Sequence, residues 1–101
     1  MGVEREVLDT FCEFLDARPA AATAELLVTT HVKHAERRMH ELDMSVAAVA
    51  ETGMEPRLAR AIRDVLAATA ARDVAAKFGG EVPPNLDAAL AALDESLGVR
   101  A

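Results

Sequence analysis

The three histidines of the chain lie within ten residues of one another, at positions 31, 34 and 40. Imidazole binds metal ions and changes its charge near neutral pH, so this group predicts a metal site or a pH-sensitive contact. His31 and His34 are three residues apart and share one face of a helix, and Glu41 continues the same stripe. We therefore expect His31, His34 and Glu41 to supply the ligands of any metal that the chain binds.

The motifs of known helical metal sites are missing around these histidines. The Glu-x-x-His pairs of di-iron bundles do not occur, and neither does the His-Glu-x-x-His pattern of zinc proteases. Arg38 also lies within the stripe and repels a cation unless Glu41 neutralises it. Three interpretations therefore remain open: a solvated polar face, a metal or cofactor site completed across a dimer, and a pH-sensitive interface. The sequence identifies no particular cofactor.

A second cationic group comprises Arg57, Arg60 and Arg63. These residues fall in the first turns of a predicted helix, where free backbone N–H groups also favour an anion, so they are the candidate anion-binding residues. Ion pairing with neighbouring acidic helices is the alternative, and Arg60 already precedes Asp64 by four residues. The sequence contains no phosphate-binding glycine loop and no Gly-x-Ser-x-Gly elbow, so it gives no support to an enzyme.

Composition limits the partners and the compartment. A formal net charge of −6 disfavours nucleic acid, which requires a concentrated basic surface. Cys12, the single cysteine, has no intramolecular partner, which indicates a reducing compartment, and its apolar neighbours predict that it is buried. The acidic first residues do not resemble a signal peptide, and no apolar run approaches the ~20 residues of a membrane span. We expect a cytoplasmic protein that binds neither membrane nor nucleic acid.

Length and hydrophobic spacing predict an all-α four-helix bundle that occupies residues 1–101 as a single domain. Hydrophobic residues make up 51% of the chain and are mostly helix-forming alanine and leucine, whereas aromatic residues make up only 3%. Pro19, Gly53, Pro56 and Gly79 separate the helices, and Asn85 is the predicted cap of the last one. The predicted helices cover residues 3–18, 20–51, 56–78 and 85–98.

The second and third helices predict self-association. Apolar residues of the second helix alternate spacings of four and three, which is a heptad pattern, on a helix longer than its neighbours can cover. The third helix is apolar on two faces, which indicates a central position or burial by a second chain. The heptad positions are Val28, Val32, Ala35, Met39, Leu42, Val46 and Val49. The predicted oligomer interface consists of Ala67, Ala71, Val74 and Phe78.

These patterns together favour a non-enzymatic interaction or assembly module, such as an adaptor, a cargo protein or a small regulator. The expected partner is a second copy of the chain, as in a homodimer, or another protein. The alternative function is binding of a metal or another small ligand through the histidine-rich stripe of the second helix. An enzyme that holds an anionic substrate with the three arginines ranks below both.

Overall fold

A computed structural model of the chain describes residues 2–97, and these residues form helices and no strand. The prediction of an all-α protein is therefore confirmed. Each helix begins and ends within a few residues of its predicted bounds, except the third. The elements are α1 (Gly2–Asp16), α2 (Ala20–Glu51), α3 (Arg57–Ala71), a 3-10 helix (Val74–Phe78) and α4 (Leu86–Leu97).

The longest element, α2, has the predicted bounds. Pro19 precedes its first residue, and the helix contains neither glycine nor proline until Gly53 ends it with a φ of 86°. That left-handed conformation is costly for residues with a side chain, so glycine suits this helix end. Although α2 has 32 residues, no helix of residues 2–97 is both long and apolar enough to cross a membrane.

Helices α3 and α4 both pack on α2. A pair of contacts shows that α3 runs antiparallel to α2: Arg63 contacts Asp43, and further along α3 Thr69 contacts the earlier residue His31. The turn between Glu51 and Arg57 is short, which makes this hairpin the expected arrangement.

The N-terminus of α4 is capped from two sides. Asn85 Oδ1 accepts a hydrogen bond of 2.8 Å from the backbone N–H of Ala88, as the sequence predicts. Glu25 Oε2 of α2 accepts a second bond, of 3.1 Å, from the backbone N–H of Leu86. A carboxylate also complements the positive end of the helix dipole, so these bonds fix the start of α4 beside α2.

The third helix is shorter than predicted, and its extension to residue 78 is wrong. Regular α-helix stops at Ala71, and Asp73 adopts a left-handed conformation with φ 51° and ψ 42°. Aspartate tolerates this region better than most residues, because its short side chain can hydrogen-bond locally. The reversal redirects the chain into the 3-10 helix and turns Val74 toward the core, where it is only 1% exposed.

The core lies where α2, the 3-10 helix and α4 meet. Its buried cluster consists of Val32, Val74, Ala89 and Ala92. Half of this cluster is alanine, and alanine allows two helix backbones to approach closely. Larger side chains pack around the cluster and are partly buried: Val28, Phe78 and Leu93.

The leucines of α4 form its buried face only in part, although their four-three spacing resembles a core stripe. Ala89 and Ala92 are buried and Leu93 packs beside them, whereas Leu90 and Leu97 are exposed. In α3, Leu66 and Thr69 are buried, whereas Leu58 and Val65 are exposed. Several large apolar residues of α3 and α4 are therefore left outside the core.

The first helix does not join the bundle, so residues 2–97 do not form the predicted four-helix bundle. All residues of α1 are exposed, and its contacts with the other helices are few. The Cα radius of gyration is 16.0 Å, whereas about 13 Å is typical of a compact domain of this length. The fold is a three-helix unit of α2, α3 and α4 from which α1 projects.

We expect Val74→Ala to lower the free energy of unfolding by about 2 kcal/mol, because it removes two buried methyl groups and leaves a cavity. Val82→Ala is the matched control, since Val82 is exposed in the connection before α4, and it should change this free energy by less than about 0.5 kcal/mol. Urea unfolding monitored by circular dichroism measures both values. Equal effects of the two substitutions would contradict the position of the core.

Candidate interaction surface

The first surface of interest is the apolar face of α1. Its side chains recur at helical spacing and are between 37% and 71% exposed. Arg18 lies over the Phe14 ring at 5.0 Å and covers part of one end of the face. We call this surface the α1 face, and it consists of Val3, Val7, Leu8, Phe11, Phe14 and Leu15.

A helix of this kind is only marginally stable without a partner. An isolated helix of about 15 residues is only marginally stable in water, and most helical stability in proteins comes from burial of an apolar face. The α1 face is a contiguous row, and contiguous exposed apolar patches on soluble proteins mark contact sites. The α1 face therefore has the properties of a docking element.

The whole chain exposes more surface than a folded monomer of its size. Its accessible surface is 7225 Å², whereas about 5,500 Å² is typical of a monomer of 10.7 kDa. The excess of roughly 1,700 Å² is about twice what each partner buries in a standard interface, roughly 800 Å².

The second surface of interest is a cleft between α2 and α3 with a volume of about 480 Å³. Four apolar side chains form most of it, and polar residues of α2 surround them. The exposed side chains of Leu58 and Val65 extend the apolar area along α3. We call the cleft the α2–α3 groove, and it is lined by Leu27, His31, Arg38, Glu41, Leu42, Ser45, Ile62 and Leu66.

His31 joins the two helices within this groove. Its Nε2 lies 2.8 Å from the Oγ1 of Thr69. The Thr69 hydroxyl also donates to the backbone carbonyl of Val65, at 3.3 Å, and a hydroxyl has one proton to give. The consistent arrangement therefore has the Nε2–H of a neutral His31 donating to Thr69.

The surroundings of His31 favour this neutral form. Partial burial lowers the pKa of His31 below its usual value, and the positive charges of Arg38 and Arg72 lower it further. Glu41 lines the same groove, but its carboxylate is held by Arg37 at 2.6 Å. His31 is therefore a structural residue that stays uncharged at neutral pH.

The three predicted metal ligands do not come together. His31 is bonded to Thr69, and Glu41 is paired with Arg37. Partial desolvation and nearby cations, Arg37 first among them, lower the pKa of His34, and the same cations oppose binding of a metal ion. Among residues 2–97, no group of three histidine, cysteine, aspartate or glutamate side chains is placed to hold a metal. Within residues 2–97, the side chains of a single chain therefore do not form a metal site.

The candidate anion-binding arginines point to separate contacts. Arg60 Nε pairs with Glu55 at 3.0 Å, and Arg63 Nε pairs with Asp43 of α2 at 2.7 Å. Arg57 is exposed at the first position of α3. These pairs tie α3 to the preceding turn and to α2, and they leave no shared pocket for an anion among the described residues.

The predicted interface residues of the third helix lie on two different surfaces. Ala67 and Ala71 line a shallow groove beside Met39 of α2. Val74 is buried in the chain's own core, and Phe78 packs against that core. Burial within the chain therefore explains half of this stripe.

The exposure of Leu58 and Val65 was not predicted, since the sequence shows two apolar faces of α3 but not that Leu66 and Thr69 are the buried residues. Cys12 was expected to be buried and is exposed, because nothing within residues 2–97 covers α1. The available signal was the strongly amphipathic pattern of α1 itself, since an amphipathic helix shows which face needs covering but not what covers it.

A comparison with protein families matches residues 1–69 to the family described as "Domain of unknown function (DUF1932)". The chain belongs to this family. The DUF1932 region contains α1, α2 and nearly all of α3, so the α1 face and the α2–α3 groove both lie inside it. No curated protein and no solved structure has a significant match to the chain.

We expect acid to destabilise the chain partly through His31. Because the pKa of His31 is lowered in the folded state, the unfolded state takes up its proton first as the pH falls below about 6.5. Stability contributed by neutral His31 is thus present above that pH and is lost below it. In urea unfolding at pH 7.5 and pH 5.0, His31→Gln should lose less stability between the two values than the wild type.

His40→Gln is the control for this pH experiment, because His40 is an exposed histidine of the same helix. It should keep the acid-dependent loss of the wild type, since His31 is still present. Identical pH dependence in His31→Gln and the wild type would contradict the structural role of His31.

Proposed function

We propose that this chain is a non-enzymatic assembly module whose function is to associate through exposed helical surfaces, first of all with a second copy of itself. The observation that carries the proposal is the α1 face, a complete apolar helix face that no part of residues 2–97 covers. A helix with this pattern becomes stable when a partner buries that face.

Two polar residues that could bind a ligand also support the proposal, because they already form contacts that hold the fold together. His31 bonds to Thr69, and Arg63 pairs with Asp43, so both link α2 to α3. The α1 face and the α2–α3 groove remain free to contact a partner, and both are largely apolar and lie on helices. This is the character of an interface.

The proposed module works in a reducing compartment, with the cytoplasm as the expected location. Its single thiol, Cys12, is exposed on α1, where oxidation would link two chains by a disulfide. A scaffold or regulatory role follows if a further protein binds the assembled form, and the surface charge of the acidic chain disfavours nucleic acid as that partner.

The test is the oligomeric state as a function of concentration. We expect sedimentation velocity between about 1 and 100 μM to show a reversible multimer. Phe11→Glu should raise its dissociation constant at least about 30-fold, because a charge in the centre of an apolar contact costs about 2 kcal/mol or more. A wild-type chain that stays monomeric throughout this range would refute self-association.

Met44→Glu is the matched control for Phe11→Glu. Met44 is an exposed, large apolar residue that lies outside both the α1 face and the α2–α3 groove. The substitution introduces the same charge, and it should leave the dissociation constant within about twofold of the wild-type value. Equal weakening by the two variants would remove the α1 face from the proposed interface.

A further inference from the structure

The two apolar surfaces of the chain are similar in length. Helix α1 has 15 residues and is therefore about 22 Å long. The α2 side of the groove extends from Leu27 to Ser45, which is about 27 Å along the helix. A helix of the size of α1 therefore fits within this groove and covers most of its length.

Their charges are complementary. Helix α1 carries five acidic residues and one basic residue, and Glu6 and Glu13 lie on one flank of its apolar face. On the other surface, Arg38 lines the groove and Arg57 precedes the exposed Leu58 of α3. Opposite charges at the rim select a partner and orient it, whereas packing α1 against another α1 would bring acidic flanks together.

The flanking charges are also available for a partner. Within residues 2–97, Glu6 and Glu13 form no ion pair, and the same holds for Arg38 and Arg57. In contrast, Arg5 is held by Asp9 and Arg63 by Asp43. Charges without an ion pair within residues 2–97 are therefore present beside both apolar surfaces.

The groove is not filled by α1 of the same chain. All its lining residues belong to α2 and α3, and Pro19, with φ −56° and ψ 149°, holds an extended turn between α1 and α2. Burial of the excess surface in two chains would total an area within the range of obligate homodimers, about 2,000–5,000 Å².

From these matches we infer that α1 of one copy docks in the α2–α3 groove of a second copy, which returns the same contact. The result is a closed two-fold dimer in which each groove receives the α1 of the other chain. The inference rests on the proposed self-association, because it names the surfaces that meet in that assembly.

The test uses two variants of the full-length chain, Phe11→Glu on the α1 face and Ile62→Glu in the groove. Both side chains are exposed, so circular dichroism should show an unchanged helical fold. Each variant alone loses both contacts of the dimer and should be monomeric at 20 μM in sedimentation velocity. An equimolar mixture should form a heterodimer, because the Ile62→Glu chain supplies an intact α1 to the intact groove of the Phe11→Glu chain.

The heterodimer keeps one of two contacts, so it should be weaker than the wild-type dimer. We expect its dissociation constant to be at least about tenfold lower than that of either variant alone. A second pair of variants tests the charges: Glu13→Lys and Arg38→Glu should each weaken the wild-type dimer, and mixing these two chains should restore part of the affinity. No gain on mixing either pair would overturn the inference.

Two further outcomes separate the inference from the proposed function. If Ile62→Glu remains a dimer while Phe11→Glu is monomeric, the chains meet through α1 alone, so the groove contact is overturned and self-association stands. If the wild type is monomeric at all concentrations and Phe11→Glu lowers its unfolding midpoint, α1 occupies its own groove. That result would refute both the inference and self-association.

Discussion

Close packing of alanine-rich helix faces on α2 is the constraint on which the rest of the structure depends. Ala89 and Ala92 of α4 are nearly inaccessible to solvent, and Ala35 of α2 is buried where α3 packs. Small side chains bring the helices close together, but they bury little apolar area per residue. A chain packed in this way obtains a narrow core and leaves its larger hydrophobic residues at the edges.

The exposed surfaces follow from this arrangement. Because α3 buries Leu66 and Thr69 and little else, Leu58 and Val65 lie outside, next to the α2–α3 groove. Helix α1 then has no room in a core that α2, the 3-10 helix and α4 already fill, and its six large apolar residues remain uncovered. A domain of this length is marginally stable on its own, so burial of these surfaces by a second chain would contribute substantially to its stability.

Polar contacts determine the register of the α2–α3 hairpin and contribute little to its stability. The Arg63–Asp43 pair and the His31–Thr69 bond link α2 and α3 at two levels. Exposed ion pairs contribute little to stability, but two such links exclude a shift of one helix along the other. They also hold His31 and Arg63, two of the residues predicted to bind a metal or an anion, in contacts between the helices.

The sequence predicted the features that depend on local chemistry. The bounds of α2 follow from Pro19 and Gly53, and the cap of α4 follows from Asn85, because each effect involves only neighbouring residues. The break at Asp73 escaped prediction, since a left-handed aspartate has no strong sequence signal. Helical spacing identified both apolar faces of α3 but not that Leu66 and Thr69 are its buried residues, because that choice depends on how the two helices pack.

The α1 face also illustrates this limit. Its amphipathic pattern is evident in the sequence, yet Cys12, which was expected to be buried, is exposed beside the exposed Phe11. Periodicity shows that a face requires burial, and only the tertiary arrangement shows whether the same chain can provide it. The position of the core is therefore needed to identify the α1 face as a candidate interaction surface.

Hydrogen exchange of the α1 backbone amides at several protein concentrations tests the central claim most directly. If a second copy covers the α1 face, these amides should be protected, and their protection should rise with concentration while that of the α2 core stays constant. Exchange of α1 at the fast rate of a free helix, at every concentration up to about 100 μM, would contradict the claim.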